Sequence, residues 1–306
     1  MTSTLTNVIP DRKKLPFGGA HAVDSAYFSI IVNKYIQNAV ANQALEDLNM
    51  QDYFLTLYKQ WIGSTTLNTV KGLDLFPIAA YSNGTSEAFD KFYLKHHSRR
   101  FRCFRGEYMY HQAAWRNYFP DWKFIDNETL AANDAVIISL PFSDLGTEHP
   151  ETKRVLDTCA ELNIPVLLDC AYFGICQDIV FDFTHPAITD ITFSLSKFLP
   201  VAHLRIGMRL TKQDDDDSLL VLNKTLYTNR VGISVGFELL SQFGPDYICD
   251  TYRLSQLKLC QQLEIEPSNC VIFGIDYNNK FSIYNRGLSS NRLNLAKYLE
   301  DCREDA

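Results

Sequence analysis

The sequence lacks several features that define common classes of protein. It has no run of about 18 apolar residues that would span a membrane, and its first 14 residues have no apolar core of the kind that a secretory signal needs. Its eight cysteines include no C-x-x-C pair, so no metal site is expected, and without a signal they are typical of reduced thiols in the cytoplasm. The net charge of −7 argues against nucleic acid as a partner, although local cations can still hold a small anion.

What the sequence does contain is the pattern of a large α/β protein. Its 306 residues are 46% hydrophobic and 21% charged, which is typical of a chain that folds around a substantial core. Short apolar runs alternate with amphipathic segments, which predicts a mostly parallel sheet sandwiched between helices. Ligands bind such sheets at the carboxyl ends of the strands. Strands are predicted at 76–81, 135–140, 165–169, 191–194 and 206–210, and helices at 24–49, 85–97 and 151–163.

The pattern also predicts three regions. An N-terminal helical segment is expected at 1–50, a large α/β domain at 51–220, and a small α+β C-terminal domain at 221–306 with strands at 270–275 and 281–284. The segment 96–105 interleaves cations with aromatic residues, as a nucleic-acid surface does. A half-exposed strand shows the same alternation, and the acidic total charge favours that interpretation.

Candidate chemistry is concentrated after the predicted strands. Lys197 closes the segment S-L-S-K, where a desolvated amine can form an imine with a carbonyl, although a surface lysine is the plainer interpretation of Lys197 alone. Arg205 follows with Gly207, and its guanidinium suits phosphate oxygens. Asp169 ends the strand P-V-L-L-D and is followed by Tyr172. A buried aspartate can pair with a protonated ring nitrogen, and a tyrosine can donate to a phenolate oxygen.

Together, D-x-A-Y at 169–172, S-L-S-K at 194–197 and R-x-G at 205–207 resemble the fold-type I enzymes that depend on pyridoxal phosphate (PLP), and among them the aminotransferase class I/II family. The resemblance implies PLP as the cofactor, held by Lys197 as an internal Schiff base. It further implies that Asp169 pairs with the pyridine nitrogen and that Tyr172 contacts the phenolate oxygen. Ser194 and Arg205 would bind the phosphate.

The resemblance extends to other parts of the chain. It implies that Arg292 binds the substrate carboxylate, that Tyr108 stacks on the ring, and that Gly19 lies near the substrate. A core aromatic and an ordinary turn are the alternatives for Tyr108 and Gly19. The phosphate loop would be Gly84, Thr85 and Ser86, and a homodimer interface would include Tyr227, Thr228 and Asn229.

Two departures from the family pattern bear on the reaction. The segment 140–147 stands where the family has N-P-x-N-P-T-G, so that Ser143 or Asp144 replaces the asparagine beside the phenolate oxygen. The small domain is also short.

The resemblance implies a PLP-dependent enzyme acting on the Cα of an amino acid. The preferred interpretation is an aminotransferase, which interconverts amino and keto acids. A PLP-dependent lyase, cyclase, racemase or oxidase is the alternative, followed by a non-catalytic binding descendant of the fold.

Overall fold

The computed structural model describes residues 15–41, 46–115, 122–214 and 217–303. The helices of this part of the chain are α1 (Ala26–Ala41), α2 (Met50–Gly63), α3 (Thr85–Lys95), α4 (Met109–Trp115), α5 (Thr152–Glu161), α6 (Ser218–Lys224), α7 (Arg230–Gln242) and α8 (Tyr247–Leu263). Its strands are β1 (Thr69–Lys71), β2 (Ile78–Asn83), β3 (Arg100–Cys103), β4 (Lys123–Phe124), β5 (Asp134–Ser139), β6 (Val166–Cys170), β7 (Val180–Asp182), β8 (Ile188–Ser194), β9 (Ile206–Thr211), β10 (Glu266–Pro267), β11 (Phe273–Asp276) and β12 (Asn291–Asn294).

The central element is a seven-stranded sheet in the order β2-β9-β8-β6-β5-β3-β4. Strand β9 runs antiparallel to both of its neighbours, and the other pairings are parallel. The start of β9 therefore lies at the same edge as the carboxyl ends of the parallel strands. The predicted α/β fold with a mostly parallel sheet is confirmed, and a small antiparallel sheet of β10, β11 and β12 lies towards the C-terminus.

The central strands are buried on both faces, which explains their continuous apolar runs. Every residue of β5 and β6 is buried. The parallel register pairs Ser139 with Asp169 at the carboxyl ends of these two strands. Two polar side chains are thus placed side by side where a ligand of such a sheet would bind.

The N-terminal helix is shorter than its apolar period predicts. Helix α1 ends at Ala41 and α2 begins at Met50, whereas the sequence predicts a single helix over 24–49. A turn separates α2 from the chain before it, because the Asn49 N–H donates to Asp47 Oδ1 at 2.9 Å. Such an aspartate turn competes with helical hydrogen bonding. Residues 42–45 lie outside the described part of the chain.

Within the segment 96–105 only Arg100–Cys103 (β3) is a strand, and it is more deeply buried than a half-exposed strand. In β3, Phe101, Arg102 and Cys103 are all buried. Arg102 is accommodated because its Nη1 lies 2.9 Å from Oδ2 of the fully buried Asp134. An ion pair between neighbouring strands thus replaces the expected solvent contact.

The strand predicted at 281–284 is wrong. Residues Ser282–Tyr284 form a single 3₁₀ turn instead. Aromatic packing fixes this turn, because the Tyr284 ring lies 6.0 Å from that of Phe17 and its hydroxyl accepts the Phe17 N–H at 3.3 Å.

Among the described residues, no helix combines the length and the apolar character that a membrane crossing requires. The region boundaries at 50 and 220 stay predictions.

Candidate active site

A cavity of about 540 Å³ lies at the carboxyl edge of the central sheet. Its walls contain almost every residue that the sequence singled out. The predicted residues that line it are Gly19, Thr85, Ser86, Tyr108, Ser143, Asp169, Tyr172, Ser194, Lys197, Arg205 and Arg292. Gly84 does not line the cavity but packs directly behind Arg205. The fold therefore brings together side chains from segments that are far apart in the sequence.

Asp169 lies on the sheet side of the cavity. It belongs to β6, it is only 5% exposed, and its Oδ1 accepts the Ala171 N–H at 3.1 Å. Burial, followed by the nearby Glu107 carboxyl, raises the pKa of Asp169 to about 8. A buried carboxyl with so high a pKa is stabilised in its charged form by any cation that enters the cavity.

Lys197 lies in the connection between β8 and β9. Its Nζ donates to the Ala20 carbonyl oxygen at 2.8 Å. It is also close enough to Asp169 for its positive charge to favour the ionised carboxylate. A lysine amine thus faces the cavity within electrostatic reach of the buried acid.

The opposite end of the connection forms an anion site. Arg205 has a positive φ of 56°, and its Nη2 donates to the Ser86 hydroxyl at 2.8 Å and to the Asn83 carbonyl at 3.1 Å. Ser86 belongs to the first turn of α3, whose unpaired N–H groups favour an anion. Gly84 has a φ of 73°, and a Cβ there would lie 2.4 Å from Arg205 Nη2. Only glycine leaves the guanidinium room in this place.

Ser194 supports the same wall from the end of β8. Its hydroxyl lies 2.8 Å from that of Ser196 and 3.3 Å from the Ile206 carbonyl oxygen. Since both serines line the cavity, either hydroxyl can turn towards a bound anion. The anion site therefore has a guanidinium, a helix N-terminus and the hydroxyl groups of Ser86, Ser194 and Ser196.

A second guanidinium, that of Arg292, lies across the cavity. Its Nη1 donates to the Ser143 carbonyl and lies 3.2 Å from the Tyr172 hydroxyl, while its Nη2 donates to the Gly19 carbonyl at 3.2 Å. The guanidinium also stacks over the Phe273 ring at 4.4 Å. Its Nε has no hydrogen-bond partner among the described residues. Arg292 is thus held in place at the cavity wall, where a guanidinium suits a carboxylate.

Ser143 and Asp144, the two candidates for the position of the family's asparagine, lie in different surroundings. Ser143 lines the cavity. Asp144 is fully buried beside it and lies 3.2 Å from Arg286. Ser143 is therefore the residue placed to contact a ligand, and Asp144 balances the charge of an arginine.

Sequence reasoning missed that arginine, and it also missed Glu107. Arg286 lines the cavity, and burial, together with the neighbouring Arg292, lowers its pKa to about 10. Glu107 is 5% exposed, and burial raises its pKa to about 7. Glu107 directly precedes Tyr108, and Arg286 lies six positions before Arg292, but the residues that they contact are far away in the sequence. An acidic residue next to Tyr108 was the available signal.

Comparisons with known proteins show the fold of this chain. No protein-family model matches the sequence, and no curated protein matches it. Tyrosine aminotransferase from Leishmania infantum is 12% identical over 93% of this chain and 89% of its own, with a TM-score of 0.65. A PLP-bound candidate aminotransferase from Clostridium difficile 630 is 11% identical over 89% and 86%, with a TM-score of 0.61. L-threonine-O-3-phosphate decarboxylase from Porphyromonas gingivalis is 14% identical over 90% and 94%, with a TM-score of 0.57.

Proposed function

Since this chain has the aspartate-aminotransferase-like fold, we propose that it is a PLP-dependent enzyme that acts on the Cα of an amino acid, and specifically an aminotransferase. One observation carries the proposal: a lysine amine, a buried aspartate and an anion site line the same cavity. These are Lys197, Asp169 and the pair of Arg205 with the first turn of α3. A fold alone does not assign a reaction, but such a site supports one.

The residues present fit PLP. Asp169 is a buried acid whose raised pKa falls when a protonated ring nitrogen supplies the missing positive charge. Arg205 and the α3 N-terminus suit the phosphate. Tyr172 and Ser143 offer hydroxyl groups for the phenolate oxygen, and Tyr108, which is 47% exposed, offers an aromatic face.

Each residue then has a defined task. When bound, PLP supplies an electron sink for the electrons released at the substrate Cα. Lys197 would hold the cofactor covalently through its Nζ, and the same amine would hold and move a proton at the substrate Cα. Asp169 holds a proton on the ring nitrogen. Arg292 binds the substrate carboxylate and orients the Cα–H bond.

The test is spectroscopic. Mixing the purified protein with PLP is expected to give a visible absorbance band that Lys197→Ala abolishes. Lys153→Ala is the matched control, because the Lys153 side chain is 85% exposed on α5, away from the cavity. If the wild type and Lys197→Ala have identical spectra, the proposal is wrong. A protein with no affinity for PLP would instead support a binding descendant of the fold.

A second candidate is another PLP-dependent reaction on an amino acid, by a lyase, cyclase, racemase or oxidase. The observation in its favour is Ser143, which stands in the cavity where the aminotransferase pattern has an asparagine. A decarboxylase also shares this fold. Amino acids should convert the cofactor of an aminotransferase to its near-ultraviolet amine form, and keto acids should restore it. A lyase leaves the aldehyde form in place.

We also infer a homodimer, with Tyr227 at its interface. Tyr227 is 78% exposed, so its ring is accessible to a second copy of the chain. Thr228 and Asn229 turn inwards instead: Thr228 donates to Gln51 at 2.8 Å, and Asn229 caps α7 and donates to the Leu204 carbonyl at 2.8 Å. Sedimentation of the wild type and of Tyr227→Ala tests this proposal. A cytoplasmic location stays a prediction.

A further inference from the structure

Arg286 has no task in the reaction as described above. Its side chain lines the cavity and is only 11% exposed. Its Nη1 lies 3.2 Å from Asp144 and donates to the Ser143 carbonyl oxygen at 3.3 Å. Arg292 Nη1 donates to the same carbonyl oxygen. Two guanidinium groups of like charge thus converge on one oxygen atom, although a single substrate carboxylate needs only one of them.

A side cavity of about 180 Å³ adjoins the first cavity. Tyr108, Met109 and Arg286 line both of them, so the two spaces meet at these side chains. The Tyr108 ring is 47% exposed and is therefore not packed into the core at this junction. Since roughly 15 Å³ of such space holds one water molecule, the side cavity has room for the end of a substrate side chain.

Arg105 brings another guanidinium to the side cavity. This guanidinium contacts neutral groups, because its Nη2 donates to Asn127 Oδ1 at 2.9 Å and its Cζ lies 4.5 Å from the centre of the Phe124 ring. The Asp126 carboxylate accepts the Arg105 backbone N–H, at 2.8 Å. A positive charge with neutral partners attracts an anion more strongly than one that is already paired with a carboxylate.

Contacts between two loop segments place Arg105 and Arg286 at the same side cavity. Arg286 Nη2 donates to the Glu107 carbonyl oxygen at 2.9 Å, which ties the segment before β12 to the segment after β3. A Cβ at Gly287 would lie 3.5 Å from Arg105 Cδ, so the backbone at Gly287 packs against the Arg105 side chain. Gly287 has a φ of 98°, a conformation that favours glycine. The position of each guanidinium therefore depends on the segment that carries the other.

The charges around the side cavity leave one positive charge for a ligand. Glu107 borders this cavity, but its Oε1 accepts the Ser139 N–H at 2.8 Å and its Oε2 accepts the Ser139 hydroxyl at 2.5 Å. Burial also raises the pKa of Glu107 to about 7, so its negative charge is partial at neutral pH. The charge of Arg286 is balanced by its ion pair, and that of Arg292 by the substrate α-carboxylate. The charge of Arg105 remains for a second anion.

We propose that the side cavity binds a second anionic group, at the end of the substrate side chain, and that Arg105 and Arg286 bind this group. The substrate is then an amino acid whose side chain extends past Tyr108 and ends in a carboxylate or a phosphate. Either group presents the oxygen pairs that a guanidinium contacts, and Gln112 adds an amide donor to the same cavity. Arg105 is thus a specificity residue. The inference rests on the proposed function, which places the substrate α-carboxylate at Arg292.

Binding of unreactive acids tests the side cavity directly. The probes are glutarate and adipate, each compared with its own monoamide, and 4-phosphonobutyrate, compared with the monoamide of glutarate. Calorimetry measures the Kd of each probe for the PLP-loaded and the PLP-free protein. The wild type should bind at least one of the dianions roughly 10- to 100-fold more tightly than its monoamide, because the distal anion gains hydrogen bonds to charged groups. The dianion that binds best shows whether the substrate ends in a carboxylate or a phosphate.

Two substitutions of Arg105 separate its charge from its packing. Arg105→Gln should bring the ratio of the two Kd values close to one, whereas Arg105→Lys, which keeps the positive charge, should retain part of it. Arg154→Gln is the matched control, because the Arg154 side chain is 64% exposed on α5, and it should bind every probe like the wild type. Circular dichroism and the urea midpoint show that each variant is folded.

Two results would overturn the inference. In the first, the wild type binds the monoamides as tightly as the dianions. In the second, Arg105→Gln keeps the ratio of the wild type. Both results leave the Lys197-dependent absorbance band in place. Loss of that band refutes the proposed function instead, while the titrations of the PLP-free protein still measure binding at the side cavity.

Discussion

Replacing Gly84 by alanine is expected to damage the anion site in two ways. Gly84 has φ and ψ of 73° and 179°, a conformation that is essentially restricted to glycine. Forcing alanine into it costs about 1–3 kcal/mol of folding free energy. The new methyl group would also lie 2.4 Å from Arg205 Nη2, so the guanidinium must leave its contact with Ser86.

The cost to cofactor binding follows from the displaced guanidinium. A hydrogen bond to a charged group contributes about 1.5–3 kcal/mol. Since about 1.4 kcal/mol is a factor of ten, the Kd for PLP should rise by roughly 10- to 100-fold. Absorbance titration measures the Kd, and urea unfolding of the PLP-free protein measures the strain separately.

Gly244→Ala provides the matched control. A Cβ at Gly244 has no described atom within 4 Å, and its φ is not in the positive region. Gly244→Ala should therefore bind PLP and unfold like the wild type. If Gly84→Ala matches Gly244→Ala in both the Kd and the urea midpoint, Gly84 does not hold the anion site open, and the reasoning fails.

Three further predictions concern the cavity and its support. Arg292→Lys should raise the KM for the amino-acid substrate by roughly 10- to 100-fold with a smaller change in kcat, because a lysine cannot form the bidentate contact; an unchanged KM would contradict the role of Arg292. In the PLP-free protein the pKa of Asp169 is about 8 instead of the ordinary 3.8. At any pH between these two values, folding is therefore accompanied by the uptake of a proton by Asp169. The stability that the neutral carboxyl contributes is complete below about pH 4 and is lost as the pH rises through about 8. The free energy of unfolding should thus fall between about pH 6 and about pH 8, and less so in Asp169→Asn; equal slopes in urea unfolding would refute this. Arg102→Met should lower the free energy of unfolding by about 3–5 kcal/mol because it leaves the buried Asp134 with fewer cations, whereas Arg154→Met, at an exposed ion pair, should change it little.

The sequence predicted the strands of the central sheet and a set of candidate residues that line one cavity, because both depend on local patterns. Apolar runs mark β5 and β6, and strand ends mark the residues that gather at one edge of a parallel sheet. Asp169, Lys197 and Arg205 follow from that rule and the resemblance. All three line the cavity.

The remaining features depend on pairs of residues that no local pattern connects. Glu107 and Ser139 are 32 positions apart, and Asp144 and Arg286 are further apart still. The burial of Arg102 depends on Asp134 in the neighbouring strand. The 3₁₀ turn at Ser282–Tyr284 likewise depends on Phe17, which is distant in sequence. Tertiary partners decide these positions, and local propensity does not record them.

The reversed strand β9 has a consequence for how such a protein can change. Because β9 runs back beside β8, one short connection carries both the amine of Lys197 and the guanidinium of Arg205. A shift of this connection would displace both groups together and preserve their spacing. The walls opposite, with Phe17, Tyr284 and Arg292, come from other segments. If the proposed function holds, substitutions in those segments can change substrate preference, in evolution or in a library screen, while Lys197 and Arg205 keep their relative positions on one connection.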